Sequence, residues 1–315
     1  MKVTEHIKNS KRTLFSIEIL PPLKGQNISS IFSTMDKLME FRPSFVDVTY
    51  HREEYILKSD GRGGLIPQVT KKRPGTVGIC SAITNRYKVD TVPHIICGGF
   101  DPQETEDALI DLNYVGIDNV LLLRGDDMKL SNNDLKNDKR YASDLVKQVV
   151  RMNQGNYIDT DLSNQSKTDF CIGVAGYPEK HFESPNIDQD LKKLKYKVDC
   201  GSDYIVTQMF FDNSKFYDFV AKCREIGITV PIIPGLKPIT SKSQLRSIPK
   251  NFFLDIPQEL VEIIENAKND IEVKEIGIDW CIRQSKDLLK HNVPVLHYYT
   301  MGKWQNTAEI AKSVF

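Results

Sequence analysis

SIEILPP, residues 16–22, decides between the two architectures open to this chain. It belongs to a longer β-rich run, LFSIEIL (14–20), which sets one carboxylate, Glu18, among isoleucines and leucines and ends at Pro21 and Pro22. In a doubly wound sheet that binds a dinucleotide, the turn after the first strand carries a G-x-G-x-x-G signature, because backbone amides must approach the phosphates closely. ILPP cannot make that turn, since two prolines fix φ and remove two amide donors. A closed barrel makes no such demand, and it gathers polar side chains at the C-terminal ends of its strands.

Seven further β-rich runs follow: FVDVTYH (45–51), TVPHIIC (91–97), NVLLLRG (119–125), FCIGVAGY (170–177), YIVTQMFF (204–211), VPIIPGL (230–236) and VLHYYT (295–300). Several are almost continuously apolar, as parallel strands covered on both faces are. Helical periodicity lies between them, in SSIFSTMDKLMEF, DPQETEDALIDLNYVG, YASDLVKQVVRM, DQDLKKLKYKVDCG, SKFYDFVAKCREIG, VKEIGIDWCIRQSKDLLKH and NTAEIAKSVF. The second of these has acids in its first turn and Gly116 at its end, matching the helix dipole and a glycine cap. The alternation predicts an α/β chain folded as a single (β/α)8 (TIM) barrel over residues 1–315, with the doubly wound sheet as the competing architecture. Residues 52–75, with GRGG and KKRPG, and residues 127–140 read as long irregular loops on the C-terminal face, where insertions serve a site.

Lys+Arg and Asp+Glu both total 42, so the formal net charge is zero and a strongly basic nucleic-acid footprint is not expected. No apolar run approaches the roughly 18 residues of a membrane span. The N-terminus, MKVTEHIKNSKRT, lacks the apolar core of a signal peptide. A cytoplasmic protein without membrane or nucleic-acid partners is expected. The six cysteines are scattered, with neither CxxC pairs nor zinc spacing, so they read as buried hydrophobes and no metal is expected.

Polar residues collect at the strand ends: Glu18 on the first; Thr49, Tyr50 and His51 on the second; His94 on the third; and Arg124, Gly125 and Asp126 on the fourth. The fifth strand runs into GYPEKH with Tyr177, Glu179 and His181, the sixth carries Gln208, and the last carries His297 and Tyr299. Each has a plain structural alternative: a hydrogen-bonded histidine, a helix cap at Asp126, an ion pair at Arg124, a flexible turn rather than a phosphate cradle at GRGG. RGD at 124–126 ends a hydrophobic strand and does not read as an adhesion motif. Glu18, held among aliphatic side chains, is expected to have its ionised form disfavoured and its pKa raised, which suits a general acid. The alternative is a glutamate paired with a lysine or arginine inside the barrel.

From SIEILPP through VDVTYH, PHIIC, LLLRGD, YASDLV, VAGYPEKH, DLKKLKYKVDCG, TQMFFD and PIIPGLKPI to HYYT, the chain resembles the methylenetetrahydrofolate reductases over nearly its whole length. The resemblance implies a (β/α)8 barrel with noncovalently bound FAD lined by Thr49, Tyr50, His94, Arg124, Gly125, Asp126, Ala142, Tyr177, His181, Asp190 and Lys197. Asp190 would meet ribose hydroxyls and Lys197, seven residues on and on the same helical face, a phosphate. Folate would be read by Glu18, Asp126, Gln208, Gln244 and Lys303. The implied chemistry has two steps: NADH or NADPH reduces the flavin and leaves, and methylenetetrahydrofolate then takes its place. Glu18, acting through water as general acid, helps open the five-membered ring to an iminium that receives the hydride; Asp126 stabilises that cation. Relatives associate, so a homo-oligomer is implied. Two positions depart from the family: Ile248 stands where an aromatic contacts the nicotinamide nucleotide, and Lys303 replaces an arginine, keeping charge but losing the bidentate fork. The chain stops just after the barrel, so feedback by S-adenosylmethionine through an added domain is not expected. The competing functions are a flavin-free pterin-binding one-carbon transferase and a non-catalytic subunit.

Overall fold

The computed structural model describes residues 1–51, 54–61, 63–125 and 141–315. Nine parallel strands form one sheet: β1 (Leu14–Ile19), β2 (Phe45–Val48), β5 (Asp90–Ile96), β6 (Asn119–Leu123), β7 (Cys171–Gly176), β8 (Tyr204–Thr207), β9 (Ile232–Ile233), β10 (Gly235–Leu236) and β11 (Val295–Tyr299). In sheet order β1 is flanked by β2 and β11, and the two ends of the sheet are β9 and β10. These are consecutive in the chain, separated by Pro234 alone. Proline has no N–H for the ladder. The seventh barrel strand is thus split: β9 pairs with β8, β10 pairs with β11, and the ring closes through Pro234. The fold is the expected single α/β (β/α)8 barrel.

The strand between β2 and β5 in chain order differs from expectation. Where a loop was expected, β3 (Glu54–Ser59) and β4 (Leu65–Thr70) form an antiparallel hairpin. GRGG lies at its turn, where Gly61 and Gly63 have φ of +75° and +86° and the Gly64 N–H donates to Oδ1 of Asp60 at 2.8 Å. The glycines thus serve a hairpin turn.

Helices cover the barrel. α2 (Ser29–Leu38), α3 (Thr76–Tyr87), α4 (Pro102–Tyr114), α5 (Ala142–Asn153), α6 (Ile187–Asp199), α7 (Asn213–Glu225), α10 (Asp270–Lys290) and α11 (Trp304–Val314) follow strands, while α8 (Gln244–Phe252) and α9 (Gln258–Asn266) lie between β10 and α10. The start of α4 shows how the sequence sets a boundary. Asp101 accepts from the Glu104 N–H at 2.8 Å, Glu104 accepts from the Asp101 N–H at 2.8 Å, and Pro102 occupies the first turn. The outward strand residues Ile17, Val46, Ile95, Val120, Ile172, Ile205 and Leu296 pack under these helices in the main core.

A second, smaller core fills the N-terminal end of the barrel with Phe45, Val92, Leu121, Cys171, Tyr204, Ile233 and Val295. It is stoppered by α1 (Val3–Asn9), whose Val3 is fully buried and donates its N–H to Asn119 Oδ1 at 2.8 Å. Gly173 is required here, because a Cβ would lie 2.4 Å from the Tyr204 ring. With that end sealed by apolar packing, the polar interior opens toward the C-terminal face.

Candidate active site at the C-terminal mouth of the barrel

Side chains of a barrel strand point alternately inward and outward. On β1 the inward set is Ser16 and Glu18. Glu18 is in register with Asp47 on β2 and Tyr299 on β11. His94 on β5 completes the group: its Nε2 lies 3.3 Å from Oδ2 of Asp47 and 3.8 Å from Oε2 of Glu18. One layer below, Ser16 Oγ and His297 Nδ1 are 2.9 Å apart. Ser16, Glu18, Asp47, His94 and His297 are all buried. Burial pushes the Glu18 carboxyl up to about 7, with His94 opposing the rise and Asp47 adding to it. Burial likewise pushes Asp47 up to about 7 against the pull of His297. Both His94 and His297 fall below the ordinary imidazole value, chiefly through burial. Near neutral pH the cluster is therefore poised to hold and release carboxyl protons beside imidazoles whose charged forms are disfavoured. Among the described residues the ionic partner of Glu18 is a histidine, not a lysine or arginine. The raised carboxyl expected from the sequence is present.

The other expected positions lie along an arc of neighbouring strand ends. After β2, Thr49 donates its N–H to Ile19 O at 3.2 Å, and Tyr50 is buried against Phe100 with ring centroids 4.8 Å apart. After β6, Arg124 pairs with Glu183 and sits 5.2 Å above the Tyr141 ring. Gly125 has φ +86°, a left-handed conformation that glycine adopts freely, and a Cβ there would lie 3.2 Å from Ile96. Asp126 lies outside the described residues, as does the polar stretch 127–140. Ala142 is buried in the first turn of α5. After β7, Tyr177 meets His181 edge-on at 4.8 Å, and His181 continues through Phe182 to an exposed stack of Phe182 on Phe253 at 4.9 Å.

Asp190 and Lys197 share the inner face of α6 as their spacing requires. Asp190 accepts from the His181 N–H at 3.1 Å and the Ser184 hydroxyl at 2.8 Å, so it anchors the GYPEKH loop. Lys197 donates to Ala175 O at 2.5 Å; burial pushes its ammonium down to about 8, with Asp190 opposing. The residues expected to hold FAD thus come from β2, β5, β6, β7 and the helices behind them, which are consecutive in the ring. Aromatic faces at Tyr50, Tyr177 and His181, cations at Arg124 and Lys197, and the close backbone at Gly125 form a donor set suited to an elongated ligand with a flat ring and a diphosphate.

The expected folate positions separate. Gln208 follows β8; its Oε1 accepts from the Met209 N–H at 2.9 Å, and its amide N–H groups have no acceptor among the described residues. Gln244 instead closes the turn before α8, its Oε1 accepting from the Thr240 N–H at 2.7 Å. Ile248, 3% exposed, packs with Met209, Leu254, Leu260 and Ile264 in a third apolar cluster. That packing explains an aliphatic residue there without any ligand. Lys303 is exposed on the loop after β11. Thr300, in the same loop, donates both N–H (3.2 Å) and hydroxyl (2.7 Å) to Glu18 O, tying this loop to the acid. Two clefts of about 290 and about 310 Å3 share Lys71 and Gly75 in their linings, and Glu18, His94 and Gln208 line neither. The site is defined by convergent side chains.

Two inward residues were not singled out from the sequence. Asp47 sits two before Thr49 in FVDVTYH, so the same alternation places both inside. Lys237 follows Gly235 by two and likewise turns inward just past β10.

The family model described as methylenetetrahydrofolate reductase matches residues 2–314. The chain is 33% identical to methylenetetrahydrofolate reductase 1 of Schizosaccharomyces pombe, an alignment covering 96% of this chain and 46% of that protein. It is 34% identical to methylenetetrahydrofolate reductase (NADH) 1 of Arabidopsis thaliana, covering 96% and 49%. Against 5,10-methylenetetrahydrofolate reductase of Escherichia coli it is 28% identical, covering 91% and 86%. The chain therefore spans about half the length of the fungal and plant relatives it matches and most of the bacterial one. Among solved structures, a Clostridium thermocellum protein described as binding two copies of 5-methyl-5,6,7,8-tetrahydrofolic acid superposes with a TM-score of 0.57 at 16% identity over 99% of this chain and 98% of its own; that likeness shows the shared fold.

Proposed function

Since the chain belongs to the methylenetetrahydrofolate reductase family, we propose that it reduces 5,10-methylenetetrahydrofolate to 5-methyltetrahydrofolate with Glu18 as general acid. One observation carries the assignment of the acid: a buried carboxyl at the open end of the barrel, pushed up to about 7 and so still carrying its proton near neutral pH. Opening the five-membered ring of the substrate requires a proton on the departing ring nitrogen, and a protonated carboxylic acid in a low-dielectric setting is the group that gives it. His94, within 3.8 Å of Glu18 and 3.3 Å of Asp47, orients the carboxyl, while burial favours its protonated form. Gln208 offers amide donors to the amide-like edge of a pterin, and Lys303 offers a charge to the substrate's far end.

FAD would lie on the arc of Thr49, Tyr50, His94, Arg124, Gly125, Ala142, Tyr177, His181, Asp190 and Lys197, and it supplies the hydride acceptor and donor that couple NADH or NADPH to the folate. On that arc Arg124 and Lys197 would neutralise the diphosphate, and the aromatic residues would exclude water from the ring. Asp126 enters as a stabiliser of the iminium cation and Gln244 as a substrate contact; both rest on the family resemblance. A ping-pong order follows from two substrates sharing one mouth, and homo-oligomeric assembly from the habits of relatives.

The test is the absorbance spectrum of the purified protein under anaerobic conditions. Flavin bands that bleach on adding NADH or NADPH and return on adding methylenetetrahydrofolate are expected. A colourless protein that FAD does not reconstitute would sink the reading.

A further inference from the structure

The barrel interior leaves three buried polar atoms without a partner. Among the described residues, the buried side-chain atoms that make no hydrogen bond are Asp47 Oδ1, His297 Nε2 and the Tyr204 hydroxyl, on β2, β11 and β8. All three residues are 0% exposed. Their orientations follow from what each side chain otherwise touches. Asp47 turns Oδ2 to His94 Nε2, 3.3 Å away, so Oδ1 faces elsewhere. His297 holds Nδ1 2.9 Å from Ser16 Oγ, so Nε2 points away from Ser16. Gly173 leaves room for the Tyr204 phenol, since a Cβ there would stand 2.6 Å from its oxygen. Phe45 links the three: it precedes Asp47 by two on β2, stacks on the His297 ring at 6.5 Å and shares the small core with Tyr204. Buried polar atoms are seldom left unpaired, and an internal water makes about three hydrogen bonds to such groups.

Beside these atoms two carboxyls face one nitrogen. His94 Nε2 lies 3.3 Å from Asp47 Oδ2 and 3.8 Å from Glu18 Oε2, and Glu18 and Asp47 are register partners on β1 and β2. Two carboxyls that share a site do not both ionise readily, and their surroundings decide which takes the charge. Here the surroundings differ. Asp47 has the His297 imidazole favouring its charge and an oxygen with room for a hydrogen bond. Glu18 has His94 favouring its charge but Asp47 opposing it. The other titratable groups that sense Asp47, on Tyr204, Tyr299 and Cys80 of α3, are kept neutral by burial. Among the described residues neither carboxyl pairs with a lysine or arginine. We propose that Glu18 and Asp47 form one acid pair across His94, in which Asp47 takes the negative charge, held by His297 and by an internal water shared with Tyr204, so that Glu18 keeps its proton. Asp47, His297 and Tyr204 are then positioning residues. What Glu18 does with that proton rests on the reductase reading given above; the pairing does not.

The experiment is an infrared titration of the protonated-carboxyl C=O stretch, read on the purified protein without substrate, with Glu18→Gln and Asp47→Asn assigning one band each. In wild type the Asp47 band should fade first as pH rises and the Glu18 band second. Asp47→Asn should lower the Glu18 midpoint by about one pH unit, the effect of removing a close like charge. Tyr204→Phe removes one hydroxyl and its hold on the water, and should draw the two midpoints together by about half a pH unit, the worth of one net hydrogen bond. A Glu18 band that fades before that of Asp47, or a Glu18 midpoint unmoved in Asp47→Asn, overturns the proposal. So does a Tyr204→Phe titration identical to wild type. Should Asp47→Asn not fold, Glu18→Gln alone assigns the bands, and their order and the Tyr204→Phe midpoints still decide. The midpoints are read without folate, so a protein that shows them yet turns over no methylenetetrahydrofolate refutes the reductase reading and leaves the acid pair standing.

Discussion

Asp47 is a buried carboxylic acid in a closed barrel, and among the described residues its ion-pair partner is His94 rather than a lysine or arginine. One of its oxygens faces His94 and the other, Oδ1, has no hydrogen-bond partner among the described residues. Burial raises its pKa to about 7 in the folded state, against the ordinary carboxylate value when unfolded. A raised pKa means that the folded state binds the proton more tightly, so its contribution to stability is complete below about pH 4 and is lost as pH rises toward 7. Asp47→Asn removes that dependence: relative to wild type its stability should climb between pH 4 and 7 by about 4 kcal/mol and then level off. Urea unfolding at pH 5, 6 and 7.5 reads this directly, and a constant difference would deny Asp47 its buried proton. Glu18, raised to about 7 by the same burial, works in its protonated form. The folate half-reaction should therefore slow as pH rises through 7 while the nicotinamide half-reaction does not, and Glu18→Gln should slow the folate step by roughly 100-fold or more with flavin retained. Equal slowing of both steps in stopped-flow traces would remove Glu18 as the acid. Lys197→Ala should weaken FAD retention, with unchanged affinity on ultrafiltration counting against a phosphate contact. Glu18 was legible because a carboxylate in an aliphatic run is conspicuous. Asp47 was equally placed by alternation, but aspartate in a short run also reads as a strand end. Lys237 was hidden because lysine is ordinarily solvent-facing, and the burial of Ile248 within α8 cannot be read from its position in the sequence.

At the scale of elements, α10 shows how a helix can hold a site residue without touching the site. Gly277, buried in α10, lets the backbone of Ile239 approach so closely that a Cβ would stand 1.8 Å from the Ile239 carbonyl oxygen. Gly277→Ala must therefore move the segment that follows β10 and carries Lys237, and a loss of about 3 kcal/mol is expected in urea unfolding. At the other end, Val3→Ala in α1 leaves a cavity in the small core and should cost about 2 kcal/mol without changing the mouth. The eight barrel strands were legible because parallel strands between two helix layers are apolar throughout. α1 was not, since MKVTEHIKN buries chiefly one residue, Val3. α3 was not because Thr, Val and Ile in TVGICSAITNRY favour strands, and tertiary packing of Ile79, Cys80 and Ile83 overrides that preference. The β3–β4 hairpin escaped because Pro67 and the charges around its turn interrupt its alternation.

For the whole molecule, the decisive contact joins distant parts of the chain: β1 and β11 pair over five positions, from Leu14 with Val295 to Glu18 with Tyr299. Neither β1 nor β10 has its full complement of neighbours without β11. A chain ending before Val295 is therefore expected to lose cooperative unfolding and near-ultraviolet dichroism together. No described helix is long and apolar enough to cross a membrane.

The split at Pro234 gives this ring a seam. Five- and four-residue ladders hold most of the circle, but β9 contributes two paired positions to one neighbour and β10 two to the other. Amide hydrogens flanking Pro234 should exchange sooner than those of β1 or β6, because fewer bonds must break to expose them. The mouth of the barrel opens beside this seam, so a ligand seated against β10 and β11 would brace the weakest joint in the circle. Occupancy of the mouth would then register as slowed exchange at Gly235 and Leu236, residues that make no part of the chemistry.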